Sequence, residues 1–130
     1  EKKEMDLVME PFEDRLLYHN RKWTVEVFVN LLENALKYTK KGGRILISVK
    51  SYELYTEISF SDTGQGIRQE EMTDIFKRFY RSPEVENMEG SGIGLYLSKL
   101  ILEKEKGYIT AASQYGKGSR FSVFLQNCKN

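Results

Sequence analysis

The chain has 130 residues, 40% of them apolar and 30% charged, with a formal net charge of +1. That length suits one domain with a modest core, and so small a net charge provides no field for gathering nucleic acid or anionic lipid. No apolar run approaches the ~20 residues needed to cross a bilayer, no signal peptide is visible, and the single cysteine, Cys128, excludes an internal disulfide and fits a reducing compartment.

Residues 6–10 alternate, with Leu7 and Met9 set against Asp6, Val8 and Glu10, which predicts a short strand ended by Pro11. Residues 15–18 are a candidate second strand. Asn20 is a good N-cap for a long helix that runs to about Thr39 and stops at Gly42-Gly43. Strands at 44–51 and 55–61 follow, joined by a short polar turn. Residues 69–76 read as a short helix. A polar segment, 82–89, precedes a helix that ends near Lys106, and Gly107 punctuates. Strands at 108–113 and 119–125 close the chain, with Gly116 and Gly118 between them. Irregular alternation with hairpins in the middle and at the end predicts a two-layer α/β sandwich. Its sheet is mixed and mostly antiparallel, with the helices on one face. The expected organisation is a single domain over residues 1–130. Because the chain begins at Glu1, it is expected to be a fragment of something longer.

The long helix has two distinct faces. At about 100° per residue, Val25, Phe28, Val29, Leu32 and Leu36 form an apolar stripe, expected to pack on the sheet. Asn30, Asn34 and Lys37 fall together on a different face. Asparagine is a poor helix-interior residue, so two stacked one turn apart are either an accident of a solvated face or a site. As a site, their carboxamide oxygens are neutral, hard ligands suited to a Mg²⁺ that already holds phosphate oxygens, and Lys37 would meet those phosphates as a point charge. Tyr38 fits either core packing or stacking on a base.

The strand ending at residue 61 runs into Asp62-Thr63-Gly64-Gln65-Gly66. One reading is a turn in which Asp bonds its own backbone. The other is a carboxylate that accepts from an exocyclic amino group, which selects adenine, a donor at N6, over guanine, an acceptor at O6. Residues 76–81 interleave Phe76 and Phe79, both expected in the core, with Arg78 and Arg81, which are surface charges or groups for a γ-phosphate. Gly90, Gly92 and Gly94 open the next helix, where a plain turn and a backbone anion site both fit. Gly116-Lys117-Gly118 reads as a hairpin turn, and Ser119 could add a hydrogen bond near Asp62. There is no P-loop, dinucleotide fingerprint or Ser/Thr kinase signature. One histidine, His19, and one cysteine assemble no zinc or triad site.

Five stretches now stand in one order: NLLENALKYT at 30–39, DTGQGI at 62–67, FKRFYR at 76–81, GSGIGL at 90–95 and GKGSRF at 116–121. Together they resemble the N, G1, F, G2 and G3 boxes of the ATP-binding catalytic domain of sensor histidine kinases, over residues 20–125. The resemblance implies the Bergerat fold shared with gyrase, Hsp90 and MutL, with ATP and Mg²⁺ as cofactors. It implies that Asn34 binds Mg²⁺, Lys37 touches phosphate and Asp62 receives the adenine amino group. Asn30, Tyr38, Gly64, Gly66, Ile67 and Ser119 would complete the nucleotide contacts. Gly90, Gly92, Gly94 and Leu95 would bound a flexible lid at about 82–91, and Arg78 or Arg81 would act on the γ-phosphate.

Related ATPases place a Glu, as base for water, where this chain has Asn30, and an amide takes no proton at neutral pH. Glu26 lies eight residues before Asn34, about 12 Å along the axis, and Glu33 points elsewhere. The expectation is therefore a histidine kinase domain rather than a hydrolase or an ATP-sensing interaction module. The family's phosphoacceptor helix is absent and His19 does not match it, so this chain is expected not to phosphorylate itself. A longer parent would supply that helical domain, act on a response regulator, and form a homodimer anchored in the cell membrane with this domain in the cytoplasm. Where many relatives have two glycines, this chain has Lys106-Gly107, for which a small loop difference is expected.

Overall fold

The structure, a computed structural model, describes residues 6–9, 21–40, 42–77 and 93–127. Pro11, the strand expected at 15–18, His19, the cap Asn20, Arg78, Phe79, Arg81, segment 82–89, Gly90, Gly92 and Cys128 lie outside the described residues.

In chain order the elements are β1 (Asp6–Met9), α1 (Arg21–Tyr38), β2 (Arg44–Ser51), β3 (Tyr55–Asp62), a single 3₁₀ turn (Gln69–Glu71), α2 (Ile93–Lys104), β4 (Tyr108–Gln114) and β5 (Gly118–Gln126). The strands form one sheet in the order β1-β2-β3-β5-β4, with β1 parallel to β2 and every other pair antiparallel. Both helices pack on one face of it, α1 against β3, α2 against β4, and each against the other. The expected two-layer sandwich is the fold observed.

One phase of each strand faces the helices. Ile47 of β2, Phe60 of β3, Phe121 of β5 and Ala111 of β4 stand in register across the sheet, and Ile58 and Val123 form the next row. Val27 and Leu31 of α1 and Ile101 and Leu102 of α2 close over them. The buried line of α1 is thus Thr24, Val27, Leu31 and Ala35, not the expected stripe. Phe28 does pack on the core, against Phe60 with ring centroids 5.8 Å apart. Val25 and Val29 are 50% and 43% exposed. The helix is rotated so that Thr24, Val27, Leu31 and Ala35 are buried while Val25 and Val29 are not. A second difference concerns residues 69–76. Their amides bond three residues back (Met72 to Gln69, Asp74 to Glu71, Lys77 to Asp74), so the stretch is a run of tight turns. It buries Ile75 and packs Phe76 edge-on against Phe121 at 6.3 Å.

The other face of the sheet is sealed by a polar network. Glu57 of β3 accepts from the Tyr52 hydroxyl at 3.1 Å and from Ser59 at 3.1 Å, and Arg120 reaches both Ser59 and Glu57. Burial alone would raise the Glu57 pKa, but hydrogen bonds from Ser122, Tyr52 and Ser59 and the Arg120 charge outweigh it and hold it below its ordinary value. Its contribution to stability is therefore present above the ordinary carboxylate range and is lost as pH falls through the folded value. Beside the network, Tyr108 stacks on Phe124 at 4.4 Å. Among the described residues no helix is long and apolar enough to cross a membrane.

α2 ends in a Schellman cap. Gly107 donates to the Leu102 carbonyl at 2.8 Å and Lys106 to that of Glu103 at 3.2 Å, which puts Lys106 at a left-handed φ of 65°. A side chain there costs about 1–2 kcal/mol. Lys106→Gly therefore stabilises the fold by roughly 0.5–1 kcal/mol after the unfolded-chain entropy of glycine is counted, which thermal unfolding reads as a rise of a few degrees. The rotation of α1 has its own test. Leu31→Ala costs about 2–5 kcal/mol as a core truncation, whereas Val29→Ala stays within about 0.5 kcal/mol as a surface change. Comparable losses at both positions would contradict the packing described.

Candidate functional site

β3 is the central strand, and it ends at Asp62 on the helix-facing side, in register with Ser119 of β5. Ser119 is in turn in register with Ser113 of β4, so the three polar residues form a row at one end of the core. Asp62 as a residue is 9% exposed. Its Oδ1 accepts from the Gly64 amide at 2.9 Å. Desolvation by burial raises its pKa, and the backbone amides of Gly64 and Ser119 only partly offset that. The result is a dry carboxylate with hydrogen-bonding capacity beyond the turn it organises.

The loop after Asp62 is tied down on both sides. On the α1 side, Gly64 is buried so closely against the Tyr38 carbonyl that a Cβ would meet it. The Arg44 amide donates to the Thr63 hydroxyl at 2.9 Å. On the hairpin side, Gly116 donates to the Gln65 carbonyl at 2.6 Å and Ile67 donates to the Ser113 hydroxyl at 2.7 Å. Gly66 has a φ of 76° and lies against the Gln114 carbonyl, where a side chain would clash. Arg68 donates to the Tyr115 hydroxyl at 3.0 Å and stacks over its ring at 4.2 Å. Glycine at 64 and 66 lets the loop pack directly on the backbone of α1's end and of the β4–β5 hairpin, which fixes the loop beside the buried Asp62 acceptor.

α1 forms the second wall. Asn30 and Asn34 are half-buried one turn apart, and Lys37 and Tyr38 are half-buried in the last turn. The Asn30 amide lies 3.5 Å from the Ser98 hydroxyl of α2, and Gly94 packs over its Cβ. Asn30 therefore sits in the seam between the helices. The Asn34 side chain makes no hydrogen bond with another described residue, which leaves its oxygen fit to meet a hard cation. Leu95 and Ile67, expected beside the nucleotide, pack against the core cluster. Gly90, Gly92, Arg78 and Arg81 fall outside the described residues.

Sequence reasoning missed Ser113 and Ser98. Ser98 is fully buried, and Ser113 ties the loop to the hairpin. The signal for Ser113 was available: it follows Ile109 and Ala111 in strict alternation, so a hydroxyl stands on the core-facing phase of β4.

A two-layer α/β sandwich with a desolvated aspartate, a glycine loop and an asparagine-bearing helix gathered at one end of the sheet is the class of domain this chain forms. Residues 19–128 match the family model described as "Histidine kinase-, DNA gyrase B-, and HSP90-like ATPase", and the chain belongs to that family. It is 40% identical over 98 residues to the sensor histidine kinase RppB of Synechocystis, covering 74% of this chain and 22% of that protein. It is 36% identical over 102 residues to the sensor protein SrrB of Staphylococcus aureus, covering 77% of this chain and 18% of that protein. The chain thus spans about a fifth of the length of these curated relatives. Among solved structures, the nucleotide-free catalytic domain of histidine kinase ThkA superposes with a TM-score of 0.82 at 26% identity, over 95% of this chain and 80% of that one. The mycobacterial sensor histidine kinase MprB shares the fold with a TM-score of 0.82 at 24% identity, over 98% and 85%. The domain is of the ATP-binding catalytic type found in sensor histidine kinases.

A carboxyl that holds its proton more tightly folded than unfolded costs stability as pH rises from its ordinary value of 3.8 through the folded value. Asp62→Asn keeps an acceptor for Gly64 and removes that cost. The ligand-free variant therefore melts higher than wild type at neutral pH, with the difference closing in acid below the ordinary value. Equal melting at neutral pH would show that the buried charge carries no penalty.

Proposed function

We propose that this domain binds Mg-ATP and, in a longer parent, donates the γ-phosphoryl group to a histidine on a separate helical domain. The observation that carries the reading is the desolvated Asp62 carboxylate, held by a loop that Gly64 and Gly66 allow to pack against α1's end and the β4–β5 hairpin. Such an acceptor takes the adenine amino group and is mismatched to the guanine carbonyl. The Asn34 oxygen would hold Mg²⁺, which when bound supplies charge neutralisation for the phosphates. Lys37, in the last turn of the same helix, adds a fixed positive charge on that flank. Arg78 or Arg81 would reach the γ-phosphate, beneath a lid over residues 82–91 bounded by Gly90, Gly92 and Gly94.

Transfer of phosphoryl rather than hydrolysis is supported by Asn30. Its amide cannot take a proton from water, and it faces Ser98 and Gly94. In the transfer a bond forms from an imidazole nitrogen to the γ-phosphorus as the bond to the bridging oxygen breaks, and ADP leaves. This chain's residues contribute positioning and electrostatics. The relatives' greater length leaves room for the phosphoacceptor domain, which would pass the group to a response regulator. The parent would be a homodimer anchored in the cell membrane, with residues 1–130 as a single cytoplasmic catalytic domain.

Thermal unfolding with non-hydrolysable nucleotides tests this. An ATP analogue with Mg²⁺ at ~100 times its dissociation constant stabilises the domain by about 2.7 kcal/mol. The GTP counterpart gives no shift, and Asp62→Ala abolishes the ATP shift. Asn34→Ala removes the part of the shift that depends on Mg²⁺. No shift with any nucleotide would reject the reading.

A further inference from the structure

The Ser113 hydroxyl has three partners and only one hydrogen. The Ile67 amide lies 2.7 Å away, the Gly118 carbonyl oxygen 2.9 Å away and the Ser119 hydroxyl 2.9 Å away. A hydroxyl carries one hydrogen and accepts at two lone pairs. A carbonyl oxygen can only accept, so the Ser113 hydrogen goes to Gly118. An amide can only donate, so one lone pair of Ser113 takes the Ile67 N–H. The remaining lone pair meets Ser119, and Ser119 must be the donor. Its one hydrogen is thereby committed, and its oxygen presents lone pairs alone to everything else. Ser119 stands directly beside Asp62 in the sheet register, and an ionised carboxylate also only accepts.

We propose that Ser113 is a positioning residue that sets the hydrogen-bond polarity of this end of the site: by fixing Ser119 as a donor to itself, it leaves two adjacent acceptors, Asp62 and Ser119, for a ligand edge that carries an exocyclic amino group. The proposal rests on the nucleotide reading above and adds a specificity determinant to it. An amino group offers two hydrogens to the pair, whereas a ring carbonyl in the same place sets lone pair against lone pair. Without the Ser113 hydroxyl, the Ser119 O–H is released and can turn to donate to that carbonyl. The same hydroxyl ties the loop at Ile67 to the hairpin at Gly118, so its removal also loosens the loop, which weakens all bases alike. The ratio between bases isolates the polarity effect from the loosening.

The test is the affinity ratio of adenosine triphosphate to inosine triphosphate, in which a carbonyl replaces the amino group, measured by titration on wild type and variants. Ser113→Ala lowers the ratio by about three- to tenfold, the scale of one hydrogen bond. Ser113→Thr, which keeps the hydroxyl, retains it. In a Ser119→Ala background, Ser113→Ala lowers the ratio no further. If Ser113→Ala fails to fold, Ser113→Cys, with a weaker donor and acceptor in nearly the same volume, is expected to lower the ratio in the same direction. An unchanged ratio in the folded Ser113 variant, with both affinities lowered equally, overturns the assignment and leaves a structural tie only. An undiminished effect of Ser113→Ala in the Ser119→Ala background overturns it as well. Wild type that binds neither nucleotide, or binds both equally, overturns the nucleotide reading itself and this inference with it, whereas wild-type preference for adenine with an unchanged variant ratio overturns the Ser113 assignment alone.

Discussion

A carboxylate kept out of water at the end of the central strand constrains much of this structure. Asp62 is unfavourable where it stands, because burial penalises its charge more than two backbone amides recover. It is tolerated because its surroundings are over-determined. The strand that ends in it is flanked on both sides, the loop after it is packed against α1's end and bonded to β2 and to the β4–β5 hairpin, and the backbone of Gly118 approaches its carbonyl closely enough to exclude a Cβ. A buried carboxyl held by so many unrelated contacts is the feature on which the proposed nucleotide site rests.

α1 links that site to the rest of the domain by presenting three different flanks. Thr24, Val27, Leu31 and Ala35 meet the core, and Thr24 also donates to Glu105 beyond the end of α2, at 3.2 Å. Asn30 faces α2, and Asn34 follows one turn on, at the proposed phosphate region. Val25 and Val29 look outward. The division explains why asparagines are tolerated mid-helix. Their cost in helix propensity is a few tenths of a kcal/mol each, roughly, and is small beside the core burial on the adjacent flank.

The sheet's second face is maintained by polar chemistry instead of a second helical layer. Glu57, Ser59 and Ser122 are nearly inaccessible although no helix among the described residues covers them. Tyr52 and Arg120 complete their hydrogen bonds, and the stacked rings of Tyr108 and Phe124 shield the flank. Two carboxyls on β3 consequently have opposite character. Glu57 is stabilised as an anion by donors on several sides, while Asp62 has only backbone donors and no cation beside it among the described residues.

Local chemistry determined much of this in advance. Strand boundaries at β2 and β3 followed from alternation and from the polar turn between them, and the positions of Asp62, Gly64 and Gly66 followed from a strand running into a glycine-rich loop. Those features depend on neighbours within a few residues, which the order of residues records directly. The rotation of α1 did not follow, because Val25, Val29, Leu32 and Leu36 are more apolar than Thr24 and Ala35. Only the packing of α1 against β3 and α2 together selects the line that is buried. Residues 69–76 show helical periodicity, yet the need to bury Ile75 and Phe76 tightened them into successive turns. Ser113 lies 46 residues from Ile67 and its hydroxyl acquires a role only when β4 is laid beside β5 and the loop folds over both. What the sequence alone determined was the set of local elements and the chemical types gathered for the site. The facing of α1, the dryness of Asp62 and the direction of the Ser119 hydroxyl depend on contacts between distant segments, so only the tertiary structure decided them.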